Sequence, residues 1–107
     1  MNKAVRYLSL AAKAGKLIVG AEDCEKAIKK GKAALIVLAS DAAPSAIKRS
    51  AQLAEIRNTK IFKSIYTKAE LAQAVGRGSS VALAVLADEG LASAFIKASA
   101  TGTEQEE

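Results

Sequence analysis

The strongest constraint on the fold is a continuous apolar run at residues 34–39, which reads Ala-Leu-Ile-Val-Leu-Ala. A second run, Val-Ala-Leu-Ala-Val-Leu, occupies residues 81–86. Runs without alternation are typical of strands buried on both faces, because helices cover the two sides of such a sheet. We therefore predict that residues 34–39 form the centre of a sheet enclosed by helices.

Helical and strand patterns alternate along the rest of the chain. Apolar residues at helical spacing predict a first helix over residues 2–14, and a second helix runs between Gly20 and Gly31. Shorter strands are predicted at residues 16–19 and 60–65. Pro44 suits the first turn of a third helix, whose predicted buried stripe is Ile47, Ala51 and Ala54.

Two polar signals mark the remaining helices. Thr67 and Glu70 have the spacing of a capping box, which predicts a fourth helix that ends near Gly76. Asp88 is expected to cap the last helix. Because helices and strands alternate, we predict an α/β fold: a three-layer α/β/α sandwich with a four-stranded mixed sheet.

A length of 107 residues predicts one domain. We assign residues 1–98 to it and interpret residues 99–107 as an acidic tail, which is polar, lacks periodicity and is expected to be disordered. No apolar run of about 18 residues and no secretory leader is visible, and Cys24 has no second cysteine to pair with. These features predict a cytoplasmic protein with no membrane partner.

Several kinds of catalytic and ligand site are excluded by residue type. The chain has no histidine, so it lacks the usual general base and the commonest metal ligand, and one cysteine cannot build a zinc site. Leu17 follows Gly15 and Lys16 where a phosphate-binding loop needs Ser or Thr, and Val81 replaces the third glycine of a dinucleotide motif. We predict no enzymatic activity, no metal ion, no cofactor and no small-molecule substrate.

The charge pattern favours a polyanionic partner. The chain has 16 basic and 11 acidic residues, and three of the acids, Glu104, Glu106 and Glu107, lie in the tail. Setting these aside leaves a net charge of +8 on the predicted domain. An excess of this kind is typical of proteins that bind nucleic acid.

One stretch, residues 19–32, concentrates the groups that could contact RNA. Gly20 opens the second helix and two acids, Glu22 and Asp23, follow it. Lysines lie behind them, at Lys26, Lys29 and Lys30. Lys26 is on the same helical face as Asp23, so a carboxylate could accept from a guanine edge while the ammonium donates to a guanine oxygen or a phosphate. A helix N-terminus also offers backbone N–H groups to phosphate.

A structural interpretation of the same residues remains open. Acids in the first turn stabilise a helix by about 0.3–1 kcal/mol through its macrodipole. The lysines could form an ordinary solvated face, or pair as Glu22 with Lys26 and Glu25 with Lys29, each pair contributing about 0.2–0.5 kcal/mol.

A resemblance to a known family runs from about residue 4 to residue 96. It is carried by Ala-Gly-Lys-Leu at 14–17, Gly20 followed by Lys-Ala-Ile at 26–28, Leu-Ile-Val-Leu-Ala-Ser-Asp at 35–41, Thr-Lys-Ala-Glu-Leu at 67–71 and Val-Gly at 75–76. In these segments the chain resembles the kink-turn-binding ribosomal proteins, in particular the bacterial YlxQ-type branch of the superfamily that contains archaeal large-subunit protein L-seven-Ae.

The resemblance implies a ribosome-associated protein without enzymatic activity that binds a sharply bent RNA internal loop with sheared G·A pairs. In that family the RNA is contacted by the start of the second helix, the turn before the third, the start of the fourth and the loop after it. The corresponding residues in this chain are Gly20, Glu22, Asp23 and Lys26; Ser40; Lys68; and the loop from Arg77 through Gly78 and Ser79 to Ser80.

The chain departs from the archaeal and eukaryotic pattern at three of these places. Glu22 stands where those members usually carry asparagine, Ser40 where an acid is common, and the loop at 77–80 lacks apolar residues. We therefore expect weaker or altered kink-turn recognition. The alternative function is a protein-interaction or dimerisation module that binds an acidic partner; between oligomeric states, we favour a monomer.

Overall fold

The structure is a computed structural model that describes residues 3–76, 78 and 80–101. Its elements in chain order are α1 (Lys3–Lys13), β1 (Leu17–Val19), α2 (Ala21–Lys29), β2 (Leu35–Leu38), α3 (Pro44–Arg57), β3 (Lys60–Lys63), α4 (Lys68–Ala74), β4 (Leu83–Leu86) and α5 (Glu89–Thr101). The predicted order is confirmed, although β3 ends and β4 begins two residues inside the predicted bounds. Residues 99–101, which the sequence assigned to the tail, are helical, and residues 102–107 lie outside the described part.

The four strands form one mixed sheet in the order β1-β4-β2-β3. β2 pairs in parallel with β3 and antiparallel with β4, and β4 pairs antiparallel with β1. Every residue of β2 and β4 is buried, whereas the outer strands β1 and β3 are partly exposed. The two apolar runs are thus the two central strands, as their lack of alternation predicts.

Helices cover both faces of this sheet. α2 packs against α3, and together they contact all four strands; α1 packs along α5 and also contacts α4. The arrangement is the predicted three-layer α/β/α sandwich. Its core is built mainly from alanine and branched aliphatic side chains, and the rings of Phe62 and Phe95 pack edge to face with their centroids 5.3 Å apart.

The predicted helix starts are confirmed by their capping contacts. α3 begins with Pro44 as its first helical residue. At the start of α4, the Thr67 backbone N–H donates to Glu70 Oε1 at 2.8 Å and the Glu70 N–H donates to Thr67 Oγ1 at 3.1 Å. Asp88 Oδ1 accepts a hydrogen bond from the Leu91 N–H at 2.9 Å, so Asp88 caps α5.

The predicted buried stripe of α3 is wrong in part. Ala51 is exposed, Ile47 is half-buried, and the residues that face the core are Ser50, Leu53 and Ala54. Ser50 can be fully buried because its hydroxyl donates to the Ile47 carbonyl at 2.9 Å, which removes the cost of an unpaired polar group.

Candidate nucleic-acid interface

The sheet topology brings the candidate RNA-binding segments to one edge. Leu38, at the end of β2, pairs with Lys63 at the end of β3 and with Leu83 at the start of β4. Val19, at the end of β1, pairs with Ala84. The chain therefore leaves β1, β2 and β3, and enters β4, on the same side of the molecule. We call this side the upper edge and define it by residues 20–26, 40–45, 63–70, 78 and 80–82.

Backbone hydrogen bonds join the segments of the upper edge to one another. The Ser40 N–H donates to the Tyr66 carbonyl at 2.7 Å, and the Lys68 N–H donates to Asp41 Oδ1 at 2.8 Å. The Val81 N–H in turn donates to the Lys68 carbonyl at 3.0 Å. The turn after β2, the start of α4 and the segment before β4 are thus held as one surface.

The start of α2 is open to solvent on this surface. Gly20 precedes the helix with φ 98° and gives no side-chain cap. Glu22, Asp23 and Lys26 are exposed. No ion pair joins Glu22 to Lys26 within the described chain, whereas Glu25 and Lys29 do pair, at 3.0 Å. One of the two helical pairs considered from the sequence is therefore formed, and Glu22 and Lys26 remain accessible to a ligand.

Not all predicted site residues lie at the upper edge. Ser40 and Gly78 are exposed there and Lys68 is half-buried. Lys29 and Lys30, in contrast, lie at the far end of α2, away from the upper edge. Six residues of helix place Lys29 about 9 Å farther along the axis than Asp23. Arg77 and Ser79 fall outside the described residues.

A cavity of about 430 Å³ lies between the starts of α2 and α3 and the segment at 80–83, with Gly20 and Ser80 on its wall. Glu25 also lines it and forms an ion pair with Arg49 of α3. The Arg49 guanidinium, and secondarily the Lys29 ammonium, lower the pKa of the Glu25 carboxyl. This pair links α2 to α3 beneath the upper edge. Because its partners are 24 positions apart in the chain, the pair could not be predicted from the sequence.

Three further residues of the upper edge were absent from the predicted site. Asp41 fixes the start of α4 through the bond described above. The Ile65 side chain is 66% exposed, which places an apolar group beside the turn after β2. Tyr66 is buried, and burial together with the Glu70 carboxylate raises the pKa of its phenol. Because residues 60–65 were predicted as a strand, the exposure of Ile65 had no separate signal.

The upper edge carries charges of both signs. Exposed acids at Glu22, Asp23 and Asp41 stand among the lysines Lys26, Lys63 and Lys68. The amino ends of α2, α3 and α4 point to this side and add partial positive charge. The surface can therefore accept hydrogen bonds from base edges as well as donate to phosphates.

Two other features are absent from the residues that the structure describes. No group of three or more Asp, Glu or Cys side chains is placed to hold a metal ion in that part of the chain. None of the helices found there is long and apolar enough to cross a membrane.

Solved structures share this architecture. A protein of unknown function from Bacillus halodurans superposes with a TM-score of 0.84 at 24% identity, covering 92% of this chain and 97% of that one. A 15.5 kD RNA-binding protein from Giardia lamblia superposes with a TM-score of 0.74 at 19% identity, covering 92% and 83%. At these identities the two matches show a common fold.

The family comparison extends the fold match to the sequence. The family described as ribosomal protein L7Ae/L30e/S12e/Gadd45 matches residues 2–96, which include every strand and all but the end of α5. The resemblance identified from short segments thus holds along nearly the whole domain. The chain belongs to the ribosomal protein L7Ae/L30e/S12e/Gadd45 family.

Proposed function

We propose that this protein is a non-catalytic RNA-binding protein that recognises a bent, kink-turn-like RNA with sheared G·A pairs through its upper edge. The observation that carries the proposal is the convergence there of the starts of α2 and α4 with the turn after β2 and the segment before β4. Family membership and the fold shared with the Giardia lamblia RNA-binding protein support an RNA ligand.

The chemistry at the start of α2 suits a guanine in a sheared pair. Such a guanine pairs through its sugar edge, so its N1–H and one hydrogen of its exocyclic amine stay free, and the exposed Asp23 carboxylate can accept from both. Lys26, one helical turn farther along, can donate to the guanine oxygen or to a phosphate. Because Gly20 has no side chain, the RNA backbone can approach the first turn closely.

The proposal extends to the setting in which the protein works. We take it to act as a monomer in the cytoplasm, on ribosomal or other structured RNA. Purification from cells with and without ribonuclease, combined with hydrodynamic mass, tests this: RNA should co-purify and disappear after ribonuclease, leaving a monomer. Acidic protein partners that survive ribonuclease, or a stable dimer, would favour a protein-interaction module.

The binding test compares two RNAs that differ only in the G·A pairs, one bent and one with Watson–Crick pairs in their place. The wild-type protein should bind the bent RNA more tightly. Asp23→Ala should weaken that complex by about 1–3 kcal/mol and leave the Watson–Crick complex unweakened. Glu55→Ala, which removes one exposed carboxylate from the far end of α3, is the matched control and should weaken neither.

Lys26→Ala extends the test to the cation, with the exposed Lys48→Ala as its control. Loss of Lys26 should weaken the bent complex more than the straight one. Equal affinity of the wild-type protein for both RNAs, or equal losses on both, would contradict recognition of the bend.

A further inference from the structure

The other end of the strands, away from the upper edge, is more basic than the upper edge. We call it the lower edge and define it by residues 13–16, 29–34, 55–60 and 86–89, where β1, β2 and β3 begin and β4 ends. Its exposed cations are Lys13, Lys16, Lys29, Lys30, Lys32, Arg57 and Lys60. Its acids are Glu55, Asp88 and Glu89, so positive charge dominates this edge.

Helix termini account for some of these cations. Lys13, Lys29 and Arg57 are in the last turns of α1, α2 and α3, where positive charge complements the macrodipole. The Arg57 Nε also donates to the Lys29 carbonyl at 2.8 Å and so caps α2. Stabilisation of the fold therefore explains these three side chains.

Lys16, Lys32 and Lys60 have no such explanation. Each lies beyond the end of the preceding helix, and each is exposed. No ion pair joins any of them to an acid within the described chain. Two connections of the fold and the first residue of β3 thus present lysines on one side without a structural role for their charge.

Two of these lysines share one shallow depression of about 350 Å³. Lys16 and Lys32 line it, together with Glu89 and the small residues of the 31–34 connection. The Ala87 N–H donates to the Lys16 carbonyl and the Ala34 N–H donates to the Leu86 carbonyl, both at 2.8 Å, so the backbone under the lysines is fixed.

The composition of the depression favours a phosphate backbone over a protein partner. Protein interfaces are enriched in aromatic anchors and depleted in lysine at their centres, whereas this depression is lined by lysine, alanine and glycine with one glutamate. Lysine presents a flexible point charge that suits phosphate and carries no base information.

We propose that the lower edge is a second RNA-binding surface, which holds the phosphate backbone of an RNA duplex without reading its sequence. The identification of the polyanion as RNA rests on the proposed function. The lower edge adds affinity at one end of the strands, whereas the upper edge, at the other end, recognises the bend.

The experiment uses a plain RNA duplex without G·A pairs, titrated at several salt concentrations. The test variant is Lys16→Gln with Lys32→Gln. The matched control is Arg6→Gln with Lys48→Gln, which removes the same charge from exposed positions on the helical layers. Each phosphate contact on a duplex contributes about 0.9 to the slope of log affinity against log salt, so the test variant should lower that slope by about 1.8. The control should leave it unchanged.

The outcomes separate this proposal from the first one. An unchanged slope in the test variant, or the same change in the control, would overturn the lower-edge surface even if the bent RNA is still preferred. If the wild-type protein shows no preference for bent RNA while the test variant still lowers the salt slope, only recognition by the upper edge is overturned. Tighter binding of poly-glutamate than of duplex, lost in the test variant, would assign the lower edge to an acidic protein and contradict the proposal. Thermal melting of both variants confirms that they fold.

Discussion

At the upper edge of the sheet, acids and lysines are mixed around the starts of helices, whereas at the lower edge lysines and an arginine gather around helix ends. The two edges are formed by the same strands, yet one can both accept and donate hydrogen bonds while the other mainly donates. Mixed polarity allows a surface to discriminate between base edges, and uniform charge gives affinity for any polyanion.

The comparison also shows why net charge alone locates no binding site. The excess of basic residues is what first points to nucleic acid, but Lys29, Lys30 and Lys32 are on the side away from Asp23. The residues with chemistry suited to recognising a base lie where the charge is close to balanced. Affinity and selectivity are therefore expected to respond to different substitutions.

The largest expected effects on the free energy of unfolding come from replacing one glycine at each edge. Gly20 has φ 98° and ψ 134°, a conformation that residues with a side chain rarely adopt, and its surroundings are open. Gly20→Ala should lower the free energy of unfolding by about 1–3 kcal/mol through backbone strain alone. Gly31→Ala at the lower edge, with φ 74° in the left-handed region, should cost about 1–2 kcal/mol. Chemical denaturation measures both, and a larger loss for Gly31→Ala would reverse the expected order.

The next prediction separates the two kinds of cation at the lower edge. Arg57→Ala removes the donor to the Lys29 carbonyl and should lower the free energy of unfolding by about 1 kcal/mol. Lys32→Gln should leave the free energy of unfolding unchanged, because no described contact uses its charge. Denaturation of both variants at one salt concentration gives the comparison. Equal losses would mean that the lysine stabilises the fold.

A smaller effect is expected from Glu22 at the upper edge. Glu22→Asn replaces an acceptor with a group that also donates, so it should strengthen the bent complex by one hydrogen bond, about 0.5–1.5 kcal/mol. Relief of charge alone would strengthen binding to the Watson–Crick RNA by the same amount, so titration of both RNAs is required. An unchanged or weaker bent complex would show that Glu22 does not face a base.

The smallest effect is the pH dependence that Glu25 confers. Because Arg49 and Lys29 lower the pKa of this carboxyl below its ordinary value of 4.5, the ionised form is favoured in the folded state. The resulting stability is present above pH 4.5 and is lost as the pH falls through the folded-state pKa. The Glu25→Gln variant should therefore lose stability less steeply than the wild-type protein between about pH 5 and pH 3. Parallel curves for the two proteins would contradict this role for the pair.

Much of the fold could be predicted because its signals are local. Continuous apolar runs identified β2 and β4 as central, and the Thr67–Glu70 spacing identified the start of α4. The buried face of α3 was harder to predict because a serine with a local hydrogen bond can replace an alanine there. Burial of Ser50 depends on that contact, which residue type alone does not indicate.

The candidate site could be predicted only in part, because its geometry depends on strand pairing. The sequence identified Asp23 and Lys26, which one helix brings together, and the family resemblance added Ser40 and Lys68. It did not indicate that Asp41 joins the turn after β2 to α4, since that contact spans 27 positions. The sequence analysis also grouped Lys29 and Lys30 with Asp23 because the three residues share one segment. In the structure Asp23 is in the first turn of α2, and the two lysines are at its other end.

Mapping of backbone amide resonances by NMR tests the division of labour between the two edges most directly. A plain duplex should perturb the lower edge around Lys16 and Lys32. The bent RNA with G·A pairs should in addition perturb Gly20, Ser40 and Lys68, and replacement of those pairs by Watson–Crick pairs should abolish this second set. Perturbations by the bent RNA that are confined to the lower edge, or a second set that persists with Watson–Crick pairs, would contradict the account.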